Sequence, residues 1–257
     1  MSLITLGAGQ VNQSFTYRPI PCYNAHVSSA ARLAKKINRR LMEVYGVPEW
    51  RKPLPPLDEL VSTILSQNTN DINRDRAFSS LKERFPNWDA VRDAESQEVI
   101  EAIRTAGLAN QKGPRIQAIL RSISEERGSL DLDFLRDFPP EEVRHWLMGF
   151  KGVGPKTAAI VMQFSLGMPA LPVDTHIFRL SGRLALRDEK TNAEAAHEVL
   201  ADLFPADTYF AVHLNLIRHG REICHARNPT CDECVLQDLC HYYETVIKVS
   251  LASQDTV

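Results

Sequence analysis

The sequence is poor in the features that build sheets and cross membranes. Only 12 of its 257 residues are glycine, and alternating runs of Val, Ile, Thr and aromatic residues are scarce. That excludes a β-rich architecture and predicts an all-α fold. No stretch approaches the ~18 apolar residues of a membrane span. The opening MSLITLGAGQVNQSF lacks the basic start and apolar core of a secretory signal, and the arginines of a mitochondrial transit peptide, so the expected location is cytoplasmic. A basic excess is missing too. The formal net charge is −2, and any nucleic-acid contact must therefore come from a local basic face. What remains, 44% apolar and 24% charged residues, is the composition of a globular chain large enough to bury a substantial core.

Residues 1–27 carry no periodicity and read as an irregular arm, with Cys22 as a packed or idle thiol. From Ser28 a helix is expected, with Leu33, Ile37, Leu41, Val44 and Tyr45 on one face and Gly46 as its stop. Lys35, Lys36, Arg39 and Arg40 lie on its other side, either a solvated face or a phosphate contact. Pro53, Pro55 and Pro56 mark a boundary. Leu57, Leu60, Val61, Ile64 and Leu65 then pattern an amphipathic helix that stops abruptly in SQNTND. Gln67 and Asn68 there serve either a cap and turn or a ligand. Val99, Ile100 and Ile103 pattern another helix, and Pro114 is expected to open the next, with Ile116, Ile119, Leu120 and Ile123. Leu108, in the intervening turn AGLANQKGP, either folds back onto the core or acts as a wedge for a base stack.

The most informative stretch is Trp146 to Arg179. Val143, Trp146, Leu147 and Phe150 give one helical apolar face. Gly152 and Gly154 flank Val153 in a tight turn, and Pro155 suits the first turn of a second, buried helix from Thr157 to Leu166. A glycine turn feeding a helix N-terminus presents unpaired N–H groups and a positive dipole end, which suits a phosphate oxygen without reading a base. Lys156 stands in that first turn, where a cation is poorly placed for stability. The dipole lowers the pKa of an ammonium there, and burial would lower it further. A lysine so treated is a nucleophile able to form a Schiff base; the plain alternative is a solvent-facing charge. Asp174 follows eighteen residues later in PVDTH. It reads as an N-cap that can also stabilise developing positive charge.

After the helices patterned by Ala196, Val199, Leu200 and Leu203 and by Tyr209 to Gly220 come Cys224, Cys231, Cys234 and Cys240, spaced C-x6-C-x2-C-x5-C. Four thiols so close together bind a tetrahedral metal centre, Zn²⁺ or an iron–sulfur cluster. Around them Arg218, Arg221, Arg227, His213, His219 and His225 are expected to form the local basic patch.

GFKGVGPKTA at 149–158, PVDTHIFR at 172–179, ILSQNTND at 64–71 and HGREICHARNPTCDECVLQDLC at 219–240 resemble the endonuclease III family of helix-hairpin-helix DNA glycosylases, across roughly residues 50–245. The resemblance implies a two-domain α-helical fold. A helical bundle at 50–168 carries the hairpin motif at about 141–166, and 28–49 with 169–245 form a [4Fe–4S] cluster domain, leaving 246–257 as a tail. It implies a bifunctional DNA N-glycosylase and abasic-site lyase, a monomer that flips an oxidised pyrimidine out of duplex DNA. Lys156 falls on the catalytic lysine, Asp174 on the catalytic aspartate, and the four cysteines on the cluster ligands. DNA contacts are expected from Lys151, Gly152, Val153, Gly154, His176, Arg221 and Arg227. The family pattern S-A-Q-A/C-T-D reads Ser66-Gln67-Asn68-Thr69-Asn70-Asp71 here. Asn68 thus stands in for an inserting glutamine one methylene longer, with Gln67 and Leu108 sharing the work. Phe150-Lys151 replaces Leu-Pro before the hairpin and adds a charge beside the phosphate site. A monofunctional mismatch glycosylase and a non-enzymatic DNA-binding module are the other readings; Lys156 argues against the first, and Lys156 with Asp174 against the second.

Overall fold

The computed structural model describes residues 24–50 and 52–250. Cys22 and most of the expected N-terminal arm lie outside these, as do residues 251–257 of the tail. Among the described residues there are helices and turns and no strand, as the composition predicts. No described helix is long and apolar enough to cross a membrane.

The helices are α1 (Asn24–Tyr45), α2 (Pro56–Ser66), α3 (Asp71–Arg84), α4 (Trp88–Asp93), α5 (Ser96–Ala102), α6 (Ala109–Arg127), α7 (Pro140–Met148), α8 (Pro155–Ile160), α9 (Thr175–Arg183), α10 (Ala195–Ala201) and α11 (Tyr209–Glu222). A π-helical turn, Val161–Ser165, prolongs α8. Two hydrophobic cores form. The first takes its residues from Leu57 to Leu166. The second joins Ala34, Ile37 and Leu41 of α1 to residues from Leu171 to Leu236, so the two ends of the described chain close on one another.

Local chemistry sets these elements. Pro56 starts α2, Asp58 and Glu59 meet the positive end of its dipole, and Leu57, Leu60, Val61, Ile64 and Leu65 are all buried. Asn70 caps α3 by accepting from the Asn73 N–H at 2.8 Å. Gly220 has no Cβ because α9 lies against it; one placed there would sit 2.9 Å from His176 Cβ. Trp50, between α1 and α2, stacks on Phe210 of α11 with centroids 3.8 Å apart.

Three expectations need correction. Helix α1 begins at Asn24, inside the segment read as irregular, and Val44 is 51% exposed because the buried stripe follows Ala34, Ile37 and Leu41. Helix α6 begins at Ala109, not Pro114; the proline sits inside it, where its ring forgoes one backbone bond. Arg40 is no free phosphate contact. It donates to the Val235 carbonyl at 3.0 Å and to the Asp238 carboxylate, clamping α1 to the cysteine loop.

Candidate active site and metal centre

Helix α7 stops at Gly149, and the chain turns through Gly152, whose φ of 88° lies in the left-handed region. Val153 donates to the Phe150 carbonyl at 3.0 Å and is buried, which holds the turn shut, while Lys151 and Gly152 face solvent. Lys156 follows Pro155 in the first turn of α8. Thr157, Ala158 and Ala159 pack inward and leave Lys156 exposed. In the free protein Lys156 therefore takes the solvent-facing alternative.

Asp174 is half-buried, and its Oδ1 accepts from the Ile177 N–H at 2.8 Å. The cap expected from the sequence is present, and it fixes the carboxylate at the mouth of α9. Facing the hairpin is the segment after α2. Gln67 donates from Nε2 to the Gly152 carbonyl at 3.1 Å and accepts at Oε1 from Arg115 Nη1 at 3.1 Å. Asn68 is exposed and left-handed, with φ of 53°. Leu108 is left-handed too, with φ of 51°, and is 48% exposed. It does not fold back onto the core. Of the remaining expected contacts, His176 Nδ1 lies 3.1 Å from Arg179 Nη2, Arg227 is exposed, and Arg221 pairs with Asp71 at 3.2 Å.

The four cysteines line one small cavity together with Arg183, Tyr242 and Tyr243. Arg183 Nη1 donates to Cys224 Sγ at 3.0 Å, and His219 Nε2 lies 3.5 Å from Cys234 Sγ. Short 3₁₀ turns, Cys231–Glu233 and Gln237–Leu239, carry the loop between them. Arg179 donates to the carbonyls of Gly220 at 2.9 Å and Cys224 at 2.8 Å, and Arg183 to that of His225 at 2.7 Å.

Residues 61–206 match the HhH-GPD superfamily of base excision DNA repair proteins, and residues 224–240 match the iron–sulfur binding domain of endonuclease III. Endonuclease III of Thermotoga maritima is 34% identical over 211 residues, 82% of this chain and 92% of that one. The chain belongs to the endonuclease III family. A putative DNA glycosylase of Arabidopsis thaliana is 42% identical over 168 residues, 65% of this chain, which spans only 57% of that relative's length. The solved structure of a non-covalent endonuclease III–DNA complex superposes with a TM-score of 0.73 at 24% identity, covering 85% of this chain and 98% of that one. It shows the shared fold.

Family membership makes the chain a DNA glycosylase and abasic-site lyase with a [4Fe–4S] cofactor. The donor set fits that group. All four thiols line one cavity, and four cysteine thiolates are the ligand set that holds such a cluster. Burial pushes the Cys234 thiol up to about 11, and burial with repulsion from Cys224 and Cys240 raises Cys231 as well. Four thiolates here need a cationic partner, and a cluster supplies one.

Two buried histidines hold the segment before Asp174, so His213 does not join the basic patch expected of it. His213 of α11 donates from Nδ1 to the Pro172 carbonyl at 2.9 Å, and His197 of α10 to the preceding Leu171 carbonyl at 3.1 Å. A carbonyl only accepts, so each ring carries its proton on Nδ1. Together they pin the segment leading into Asp174. Burial pushes His213 down to about 4; Asp174 acts to raise it and Lys156 to lower it. The lysine and the carboxylate therefore both lie within electrostatic reach of one buried ring. His219, which bonds Tyr45 Oη at 3.0 Å, is likewise held near 4 by burial and adds no charge to the patch. Because the unfolded chain takes up a proton near 6.5 and folded His213 only near 4, stability is complete above pH 6.5 and declines as pH falls toward 4. The loss attached to His213 is about 3 kcal/mol. Urea titrations between pH 7.5 and 4.5 should show that decline, and His213→Asn should make it shallower, leaving the part that buried His219 and His197 contribute.

Proposed function

We propose that this glycosylase excises oxidised pyrimidines from duplex DNA through Lys156. The observation that carries the reading is the pairing of an exposed lysine in the first turn of α8 with a capped carboxylate, both within electrostatic reach of His213. Lys156 Nζ, once deprotonated, attacks the sugar C1′; the C1′–N bond breaks and the base leaves with its electron pair. The nitrogen lone pair then expels O4′, which takes up a proton as the ring opens to a protonated Schiff base; loss of a proton from C2′ drives β-elimination, which breaks the C3′–O bond and releases the 3′ phosphate. Asp174 stabilises positive charge building on the sugar and accepts the proton from the attacking amine. The N–H groups of Gly152 and Gly154, with the Lys151 ammonium, hold a backbone phosphate and set the register of the flipped nucleotide; the Val153 N–H expected to join them is taken by the Phe150 carbonyl.

Asn68 and Leu108 enter the gap that the flipped base leaves, since both project into solvent on strained left-handed residues. Gln67 is already engaged by Gly152 and Arg115. His176, Arg221 and Arg227 line the outer path of the duplex. We read the first core as the bundle domain at 50–168. The second is the cluster domain, built from 28–49 and 169–245, in which the four cysteines hold the cluster. The protein acts as a monomer in the cytoplasm, on the nucleoid.

A panel of duplexes carrying thymine glycol, dihydrouracil, 5-hydroxycytosine, an abasic site, or a T·G or A·G mismatch tests this. Base release coupled to strand cleavage at the oxidised pyrimidines, at least about tenfold above either mismatch, is the expected result. Base release from a mismatch without cleavage would establish a monofunctional enzyme instead.

A further inference from the structure

Helix α6 touches the three segments assigned above to the wedge and the phosphate hairpin, yet none of its own residues is among the DNA contacts. Lys112 is 1% exposed, and its Nζ donates to the Leu65 carbonyl at the end of α2 and to the Ala106 carbonyl, each at 2.8 Å. The first carbonyl lies three residues before Asn68, the second two residues before Leu108. Arg115, one turn further along α6, donates to Gln67, and Gln67 donates to Gly152. Arg115 also fills the space beneath the hairpin: a Cβ on Gly152 would lie 2.5 Å from its Nε and 2.6 Å from its Cδ.

Two cations on successive turns of one helix therefore tie both exposed left-handed residues to the phosphate hairpin. A buried ammonium with two carbonyls and a guanidinium bridging to an amide are directional bonds to charged donors, worth more than neutral ones. We infer that Lys112 and Arg115 are positioning residues, a strut that fixes Asn68 and Leu108 at a set distance from the hairpin. Entry of the wedge and capture of the phosphate then occur as one motion. The inference rests on the proposed function for the roles of the wedge and hairpin, but the strut is testable apart from it.

Arg115→Met keeps the packing volume beneath Gly152 and removes the donor; Gln67→Ala removes the bridge. In the free full-length protein, amide hydrogen exchange should quicken by about tenfold in 66–71 and 149–154 in Arg115→Met, with 224–240 unchanged. Unchanged exchange in either segment, or a rise throughout, overturns the strut. On DNA, single-turnover excision of dihydrouracil should fall about tenfold in either variant, and no further in the double variant. Cleavage at a preformed abasic site should fall less than threefold, since no base has to leave the stack. Equal losses on the two substrates, or additive losses in the double variant, reduce Arg115 to a structural role. Should the wild-type protein excise no lesion, the functional reading fails while the exchange measurement still decides the strut.

Discussion

Lys156→Gln protein leaves no borohydride-trapped complex with damaged duplex, and its strand cleavage falls by at least about 10³-fold. The side chain is exposed, so no packing is lost, and glutamine forms helix as readily as lysine. Removing a cation from the first turn of α8 relieves an unfavourable interaction with the helix dipole. The variant is therefore expected to be as stable as the parent and to bind damaged duplex, which places the loss in the chemistry. An internal readout accompanies it. Lys156 acts to lower His213 and His197, so the substitution moves both titrations upward in an NMR pH series. Asp174→Asn is the companion, because an asparagine Oδ1 still accepts from the Ile177 N–H and keeps α9 capped. It should slow excision while a preformed abasic site still traps. Trapping that survives Lys156→Gln would sink the assignment of the nucleophile.

Much of this site was legible along the chain, because its parts are local. The glycine hairpin, the proline at the start of α8, the Asp174 cap and the cysteine spacing each lie within a few residues, where periodicity and turn chemistry speak directly. The contacts that join these parts were not legible. Gln67 meets Gly152 across 85 positions and Arg115 across 48. Lys112 did leave a trace. It falls with Ile116, Ile119 and Ile123 at i, i+4, i+7 and i+11, on the buried face of α6, and a lysine in an apolar stripe announces a buried partner. Pro114 hid that stripe by suggesting a later start. His213 and His219 misled in the opposite sense: near the cysteines they resembled a basic patch, whereas burial keeps both neutral. For Lys156 the exposure was left open for a related reason. The sequence marks α8 as buried, and only the fold shows which side of its first turn stays outside.

Cys234→Ser should yield a colourless protein whose thermal midpoint lies about 10 °C lower. Residues 224–240 contain only two short 3₁₀ turns, so backbone bonding within the loop is slight and its order depends on anchors. The protein supplies Leu236, 1% exposed in the second core, and the donations from Arg40, Arg179 and Arg183. The cluster supplies the rest, joining four thiols, of which burial pushes Cys231, Cys234 and Cys240 upward. Loss of a ligand and then of the cluster should cost several kcal/mol, and at roughly 2–4 °C per kcal/mol for a chain of this size the midpoint shift follows. The damage should be uneven. Helix α8 and Lys156 belong to the first core, so exchange protection across 155–160 survives. Helix α9 leans on the loop through Arg179, and it carries Asp174 at its start. Excision should therefore fall by more than cleavage at a preformed abasic site, where Lys156 alone forms the Schiff base. A colourless wild-type preparation rich in zinc, equally stable and active, would overturn the cluster; equal losses in excision and abasic cleavage would show that the loop steadies the whole protein rather than the carboxylate.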